Sequence, residues 1–473
     1  MKALYHTLGA LAMALASGCA LQPVYQRPAL PVAATYPSGA AYAAPGPGNA
    51  LAAADTGWRD FLPDPRLQRL VELGLHNNRD LRVAMLNVEK VRAQYRLAQS
   101  SLAPQVGVNA QRSSSHVPAG EKGTSGHDEA LGVSAAWELD FFGRLRSLSD
   151  AAFQQYLASD QARQAAQILL VSQIADQYLA TLAGDEQLKV TLDTSDAAEA
   201  SFRLVQLQFD TGTASELDLL LAQTTVEQAR ANYQAQLRQR AQAENALVLL
   251  VGQPWPRDLP PAPRLDAQAV LADVPAGLPS DLLTRRPDIR QAEALLRAEH
   301  ADIGAARAAF FPRISLTGSA GTQSATLGGL FGAGSAAWSF LPSLTLALFD
   351  AGANQANLDL AMAERDIGVA QYEKTVQTAF REVADGLAAR GTYSAQLAAQ
   401  QRETQAQRRR LQLENQLYAN GIDSYQNVLS AQTALYAAQQ ALVTAQLNQL
   451  TSRVDLYRAL GGGWRESSAA PAG

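Results

Sequence analysis

The sequence predicts a mainly α-helical chain with a small β part that belongs in a membrane, built from two copies of one unit. Three observations predict it. First, one offset recurs along the chain. Asn78-Arg79-Asp80-Leu81-Arg82 matches Arg286-Pro287-Asp288-Ile289-Arg290 at a shift of 208, and Ala222-Gln223-Thr224 returns as Ala431-Gln432-Thr433 at 209. Phe209-Asp210-Thr211-Gly212 matches Tyr418-Ala419-Asn420-Gly421 at the same 209. Chance matches scatter in offset, so a fixed one marks an internal duplication. Second, no proline interrupts Arg144 to Gln253 or Ala353 to Leu460, which leaves two very long helical stretches. Third, each copy carries a short proline-bounded segment in which apolar and polar residues alternate.

Taken in chain order, residues 1–18 form a signal peptide. Lys2 supplies the positive start, and Leu8 to Ala16 an apolar run too short to span a bilayer. The run ends in Ala16-Ser17-Gly18-Cys19, which resembles a bacterial lipobox. That resemblance implies a diacylglycerol group and an N-acyl chain on Cys19; the plain alternative is a signal peptide followed by a stray cysteine. Cys19 is the chain's single cysteine and sits where lipidation needs it, and several acyl chains anchor firmly where one would be marginal. Ala20, rather than Asp, implies sorting to the outer membrane. Residues 19–57, rich in Pro, Ala, Gly and Tyr, lack a periodic apolar face and read as an extended tether, lying along the body or free.

Residues 58–252 form the first repeat. A helix over 79–102 stops at Pro104, and strands are expected at about 104–113 and 131–141. Leu131, Val133, Ala135, Trp137, Leu139 and Phe141 share one face of the second strand, while Gly132, Ser134, Ala136, Glu138 and Asp140 share the other. Val106 and Val108 extend the apolar face to the first strand. After a Pro-rich linker at 253–287, the second repeat occupies 288–463. Its strands are expected at about 312–322 and 335–348, with Trp338 and Phe340 on the apolar side. Residues 464–473 form a flexible tail.

Strands of ten to twelve residues suit a tilted crossing of a bilayer. Four cannot close a barrel, and open edges are not tolerated in lipid, so the sheet calls for further copies of the chain; the residues alone do not fix how many. Between each β unit and Gly212 or Gly421 lie about 69 residues, about 100 Å of helix at 1.5 Å per residue. Each glycine marks a turn from which a second rod returns, and Leu217, Leu220, Leu221, Thr224 and Val226 give it a coiled-coil seam.

Composition excludes several classes. Hydrophobic residues make up 47% and charged residues 18%, with a net charge of -5, so the chain is ordered and has no basic footprint for nucleic acid. One cysteine excludes disulfide frameworks and Cys-based metal or iron–sulfur centres. The histidines have no ligand spacing. No P-loop, nucleophile elbow or HExxH motif is present, and neither an enzyme nor a metal or other cofactor is expected.

The arrangement resembles the outer membrane factor family of TolC-like channels, in its OprM- and NodT-type efflux lipoprotein branch. The residues that carry the resemblance are Cys19, Trp58-Arg59-Asp60-Phe61, Asn77-Asn78-Arg79-Asp80-Leu81-Arg82 and Trp137-Glu138-Leu139-Asp140-Phe141-Phe142-Gly143-Arg144. Leu278-Pro279-Ser280-Asp281-Leu282-Leu283, Arg285-Arg286-Pro287-Asp288-Ile289, Ile303-Gly304-Ala305-Ala306-Arg307, Ala308-Ala309-Phe310-Phe311-Pro312 and Ala459-Leu460-Gly461-Gly462-Gly463-Trp464 complete them. The resemblance implies a homotrimer that shares a 12-stranded β-barrel in the outer membrane and a long periplasmic α-helical barrel. It implies a passive multidrug efflux duct, partnered by a periplasmic adaptor (a membrane fusion protein) and an inner-membrane proton-driven RND transporter. Thr211, Gly212, Thr213, Asn420, Gly421 and Ile422 would be tips that meet the adaptor.

Channels of this family close near those tips, often on acidic residues. Ser430 and Asn427 stand here where relatives carry Asp. Asp218 and Asp423 are the nearby acids, Gln426 is a further candidate, and packing by Tyr425 is expected to contribute more to closure than charge. Two other classes compete: a lipidated periplasmic adaptor, which would lack the duplication and the paired strands, and a structural envelope lipoprotein with no conduit.

Overall fold

The computed structural model describes residues 21–42, 52–117, 124–256, 258–267, 275, 277 and 279–468. The signal peptide and Cys19 lie outside the described residues. Nine α-helices and four strands are described: α1 (Trp58–Phe61), α2 (Pro65–Asn77), α3 (Arg79–Ser100), β1 (Gln105–Val117), β2 (Thr124–Leu139), α4 (Arg144–Asp210), α5 (Glu216–Val251), α6 (Leu282–Arg285), α7 (Pro287–Ala308), β3 (Arg313–Ser324), β4 (Ala336–Thr345), α8 (Ala353–Ala419) and α9 (Tyr425–Ala459). The chain is mainly helical. α3 and α7 have 22 residues each, α4 and α8 have 67 each, and α5 and α9 have 36 and 35. No described helix is both long and apolar enough to cross a membrane.

The chain divides into two compact units. The first comprises residues 1–29, 86–160 and 290–374, and it holds the sheet. All four strands pair antiparallel in the order β1-β2-β3-β4. β1 and β2 run to 13 and 16 residues, longer than the alternation predicts, and pair out to Val117 and Thr124. Their far halves, Arg112 to His116 and Gly126 to Ala130, are polar on both faces, so alternation could not mark them. β4 stops at Thr345, short of the expected 348. Pro342 is tolerated in β4 because this strand lies at an edge of the sheet. On the helical side, Ala151 of α4 packs with Ala298 and Ala301 of α7, small residues that let helices approach closely.

The second unit comprises residues 30–85, 161–289 and 375–473. Its core contains Trp58, Phe61, Leu70, Val71, Ile174, Tyr178, Leu247 and Val251. Phe61 stacks on Tyr457 at 3.7 Å, and the Tyr457 hydroxyl donates to the Thr56 carbonyl at 2.6 Å. Asn78 caps α3 by accepting from the Leu81 amide at 2.9 Å and donates to the Leu250 carbonyl at 2.9 Å. Arg286, buried, donates to Asp288, to Glu382 at 2.8 Å and to the Ala459 carbonyl at 2.8 Å. The motifs at 77–82 and 285–289 thus hold helix ends together.

One expectation is corrected. The tail is not free from residue 464. The Trp58 amide donates to the Arg465 carbonyl at 2.9 Å, and Arg59 pairs with Glu466 at 2.7 Å. Residues 469–473 lie outside the described part. Of the two readings of the tether, lying along the body or free, the contacts fit the first: Tyr36 stacks on Phe380 at 5.3 Å within the second unit.

Candidate functional site

The sheet has two chemically different faces, and register alone assigns them. Val106 faces Ala135 and Val108 faces Val133, while Val133 faces Ala320 and Trp137 faces Leu316. Ala320 then faces Trp338, and Gly318 faces Phe340. Partners directly across a ladder point the same way. Val106, Val108, Leu131, Val133, Trp137, Leu139, Trp338 and Phe340 therefore stand on one face, joined by Ile314, Leu316 and Leu344. Val106, Val108, Val133, Trp137, Trp338, Phe340 and Leu344 are exposed, Val108 at 79% and Trp338 at 81%, while Leu131, Leu139, Ile314 and Leu316 are partly covered. The Trp137 indole donates to the Leu102 carbonyl at 3.0 Å, which satisfies its polar end.

The opposite face carries Asn109, Gln111, Ser134, Glu138, Ser315, Thr317, Ser319, Gln323, Ser339 and Ser343; Leu341 is its apolar exception. Serine pairs link β3 to β4 across this side, Ser315 to Ser343 and Ser319 to Ser339, each at 2.7 Å. Such a sheet can separate an apolar medium from a wet one. β1 and β4 each pair on one side only, which leaves two rows of backbone donors and acceptors open.

The helix turns lie in the second unit. At the first, Gly212 adopts φ +75°, and the Thr213 amide returns to the Gln208 carbonyl at 2.8 Å, which satisfies the end of α4. Thr211 and Thr213 donate hydroxyl hydrogens to carbonyls of the last turn of α4, at 3.0 and 2.9 Å. Ser215 caps α5 with a reciprocal box: the Asp218 amide donates to Ser215 Oγ at 3.1 Å, and the Ser215 amide to Asp218 Oδ2 at 3.3 Å. At the second turn, Gly421 adopts φ +71°, the Ile422 amide donates to the Leu417 carbonyl at 3.0 Å, and the Ile422 side chain is exposed. Asn420 donates to the Gln416 carbonyl at 2.7 Å. The two turns end their first helices alike, on a glycine of positive φ, but only the first starts its second helix with a side-chain cap.

The residues expected at a constriction fall into different environments. Tyr425 is not at a free surface. It is buried among Val205, Ala222 and Val428, with Phe202 and Tyr418 against it, because an aromatic ring at the start of α9 fills the space between four helices of the same chain. Burial pushes its phenol up to about 12, with Tyr418 as the next contribution. Its packing contacts therefore lie within the chain, among α4, α5, α8 and α9. Asp218 serves the cap of α5. Asp423 accepts from the Ser424 amide and from Asn427 Nδ2, both at 2.7 Å, and those bonds hold its carboxyl below the ordinary range. Gln426, Asn427 and Ser430 are exposed.

Sequence reasoning missed two groups. Asp176 on α4 is half-buried, and its enclosed Oδ1 has no hydrogen-bond partner. Burial first, and Asp455 after it, raise its carboxyl to about 7 against the opposing charge of Arg458. On α7, burial first, then Glu364 and Asp302, together raise Glu299 to about 7. Neither carries a sequence signal, since an acid on a helix looks the same whether solvated or enclosed. Among the described residues no group of three His, Cys, Asp or Glu side chains is placed to hold a metal ion.

Comparison with known proteins places this architecture. The family model described as outer membrane efflux protein matches residues 70–253 and 278–462. The chain is 49% identical to the antibiotic efflux pump outer membrane protein ArpC of Pseudomonas putida, over 95% of this chain and 94% of that one. It is 46% identical to the solvent efflux pump outer membrane protein SrpC, also of Pseudomonas putida, over 98% and 99% of the two chains. The crystal structure of the open state of the Neisseria gonorrhoeae MtrE outer membrane channel superposes with a TM-score of 0.86 at 37% identity, covering 96% of this chain and all of that one. The match spans well over half of the sequence, and the chain belongs to the outer membrane efflux protein family.

Proposed function

We propose that this chain is one third of the exit duct of a tripartite RND-type multidrug efflux pump. The observation that carries the reading is the four-stranded sheet with one apolar face, one hydroxyl-rich face and two open edges. Open edges are too costly in lipid for a lone sheet. Three chains joined edge to edge would form a 12-stranded barrel, wide enough to leave a lumen where eight strands would be filled by their own side chains. Val106, Val108, Val133, Trp137, Trp338 and Phe340 would face lipid, and the serine face would line the passage.

The paired helices α4/α5 and α8/α9 would extend the passage through the periplasm. Their matching lengths, and the family model's two matched segments, support an internal duplication. The turns at Thr211–Thr213 and Asn420–Ile422 would meet a periplasmic adaptor, and an inner-membrane transporter would supply the energy. The duct itself does no chemistry and takes no cofactor; Cys19 carries the lipid anchor. Relatives named for antibiotic and for solvent efflux support a broad cargo of small molecules.

Deleting the gene in a strain without redundant channels should sensitise cells to several unrelated drugs and to solvent, with restoration by the intact gene. An unchanged susceptibility profile would contradict the efflux role.

A further inference from the structure

The tether has a grip on α7. Glu293, Arg297, His300, Gly304 and Arg307 are spaced four, three, four and three residues apart, so they form one stripe on the helix. Residues 21–27 lie along that stripe in the opposite direction. Arg307 Nη1 donates to the Leu21 carbonyl at 3.3 Å. A Cβ at Gly304 would come within 2.9 Å of Gln22 Cα, so glycine makes room for the strap. The Tyr25 ring meets His300 edge-on at 5.4 Å, and the Arg297 guanidinium covers it at 4.8 Å. The Tyr25 hydroxyl donates to Glu293 Oε1 at 3.2 Å.

Arg27 closes the strap with a bidentate pair to Glu293, Nε to Oε1 at 3.1 Å and Nη2 to Oε2 at 2.9 Å. Glu293 is buried, its side chain only 8% exposed. Without Arg27 and Tyr25, its carboxylate would keep Arg297 alone among these partners, an outcome that burial makes costly. The lengths also agree. Six extended residues span about 20 Å, and the stretch of α7 from 293 to 307 spans about 21 Å.

We infer that this stripe on α7 is the receptor for the anchor-bearing segment, and that its grip serves to hold the sheet-bearing unit close to the bilayer. The inference rests on the proposed lipid at Cys19. Cys19 stands two residues before Leu21, and α7 runs directly into β3. With the grip lost, the tether would next be held at Tyr36, against Phe380, which leaves about 17 residues of flexible chain with an average reach of about 23 Å. The grip shortens the lead to two residues, at most about 7 Å. The ratio of reaches cubed raises the effective concentration of the sheet at the membrane surface on the order of thirtyfold. Insertion of the strands is the step that would gain.

The test uses the full chain in cells and compares wild type with Tyr25→Ala/Arg27→Ala, with Arg27→Lys and, from the helix side, with Glu293→Gln. Two quantities are read separately: the acyl mass on the mature N-terminus, and the rate at which new chains resist urea extraction from outer membranes. The double variant should keep the acyl mass and insert about tenfold or more slowly. Glu293→Gln should slow in the same direction, and Arg27→Lys, which keeps the charge but loses the fork, should fall between. Both strap substitutions lie outside the helices, so helical content should stay unchanged. A double variant that carries the same lipid and inserts at the wild-type rate would overturn the grip's role. A wild-type chain without acyl mass would instead remove the anchor on which the inference stands.

Discussion

Asp176 is the residue whose environment most opposes its ordinary chemistry. Its carboxyl is raised to about 7 by burial and by Asp455, against about 3.9 in an unfolded chain. The folded state therefore holds a proton that the unfolded state releases between about pH 4 and pH 7. Stability is fully present below that window and is lost as pH rises through it. Asp176→Asn removes this loss. The variant should melt at least about 2–4 °C above wild type at pH 8, and thermal scans should find the gap shrinking towards pH 4. A gap independent of pH would mean that the carboxylate is not the cause. Gly212 and Gly421 are a different case, because a Cβ there would meet no atom within 4 Å. The cost of Gly421→Ala is then one of backbone conformation alone, about 1–2 kcal/mol. Denaturant unfolding should report that loss, and Gly421→Asn should lose less, since Asn tolerates positive φ.

The sheet is the element where the sequence speaks most directly. Alternation at 131–141 picks out the apolar face that register then extends across all four strands. It stops short at the far ends of β1 and β2, where Ser113, Ser115, His116, His127 and Asp128 leave neither face apolar. The helix turns were also legible, because Gly212 and Gly421 supply the positive φ that ends α4 and α8. The strap was not. Its partners sit some 270 residues away, and the proline-rich run 21–42 has no periodicity to betray a contact. Tyr425 was legible as a packing residue but not as one packed inside its own chain. If the apolar face meets lipid, Val108→Arg should cost about 2–4 kcal/mol in folding from urea into lipid vesicles. Ser319→Arg, on the other face, should cost far less. Equal costs would mean that the two faces do not differ in medium.

For the molecule as a whole, the central claim is that one chain is incomplete. Its sheet ends on β1 and β4 with open edges, and large apolar side chains such as Val108, Trp338, Phe340 and Leu344 stand uncovered. Chains joined edge to edge would pair the first and give the second a common lipid-facing band. The most direct measurement is a native mass spectrum of the protein extracted from outer membranes in mild detergent, which reports subunit number and the mass at the mature N-terminus together. The account predicts three copies, each beginning at Cys19 and carrying acyl mass. A monomer would leave four strands with open edges in lipid and would contradict the shared barrel.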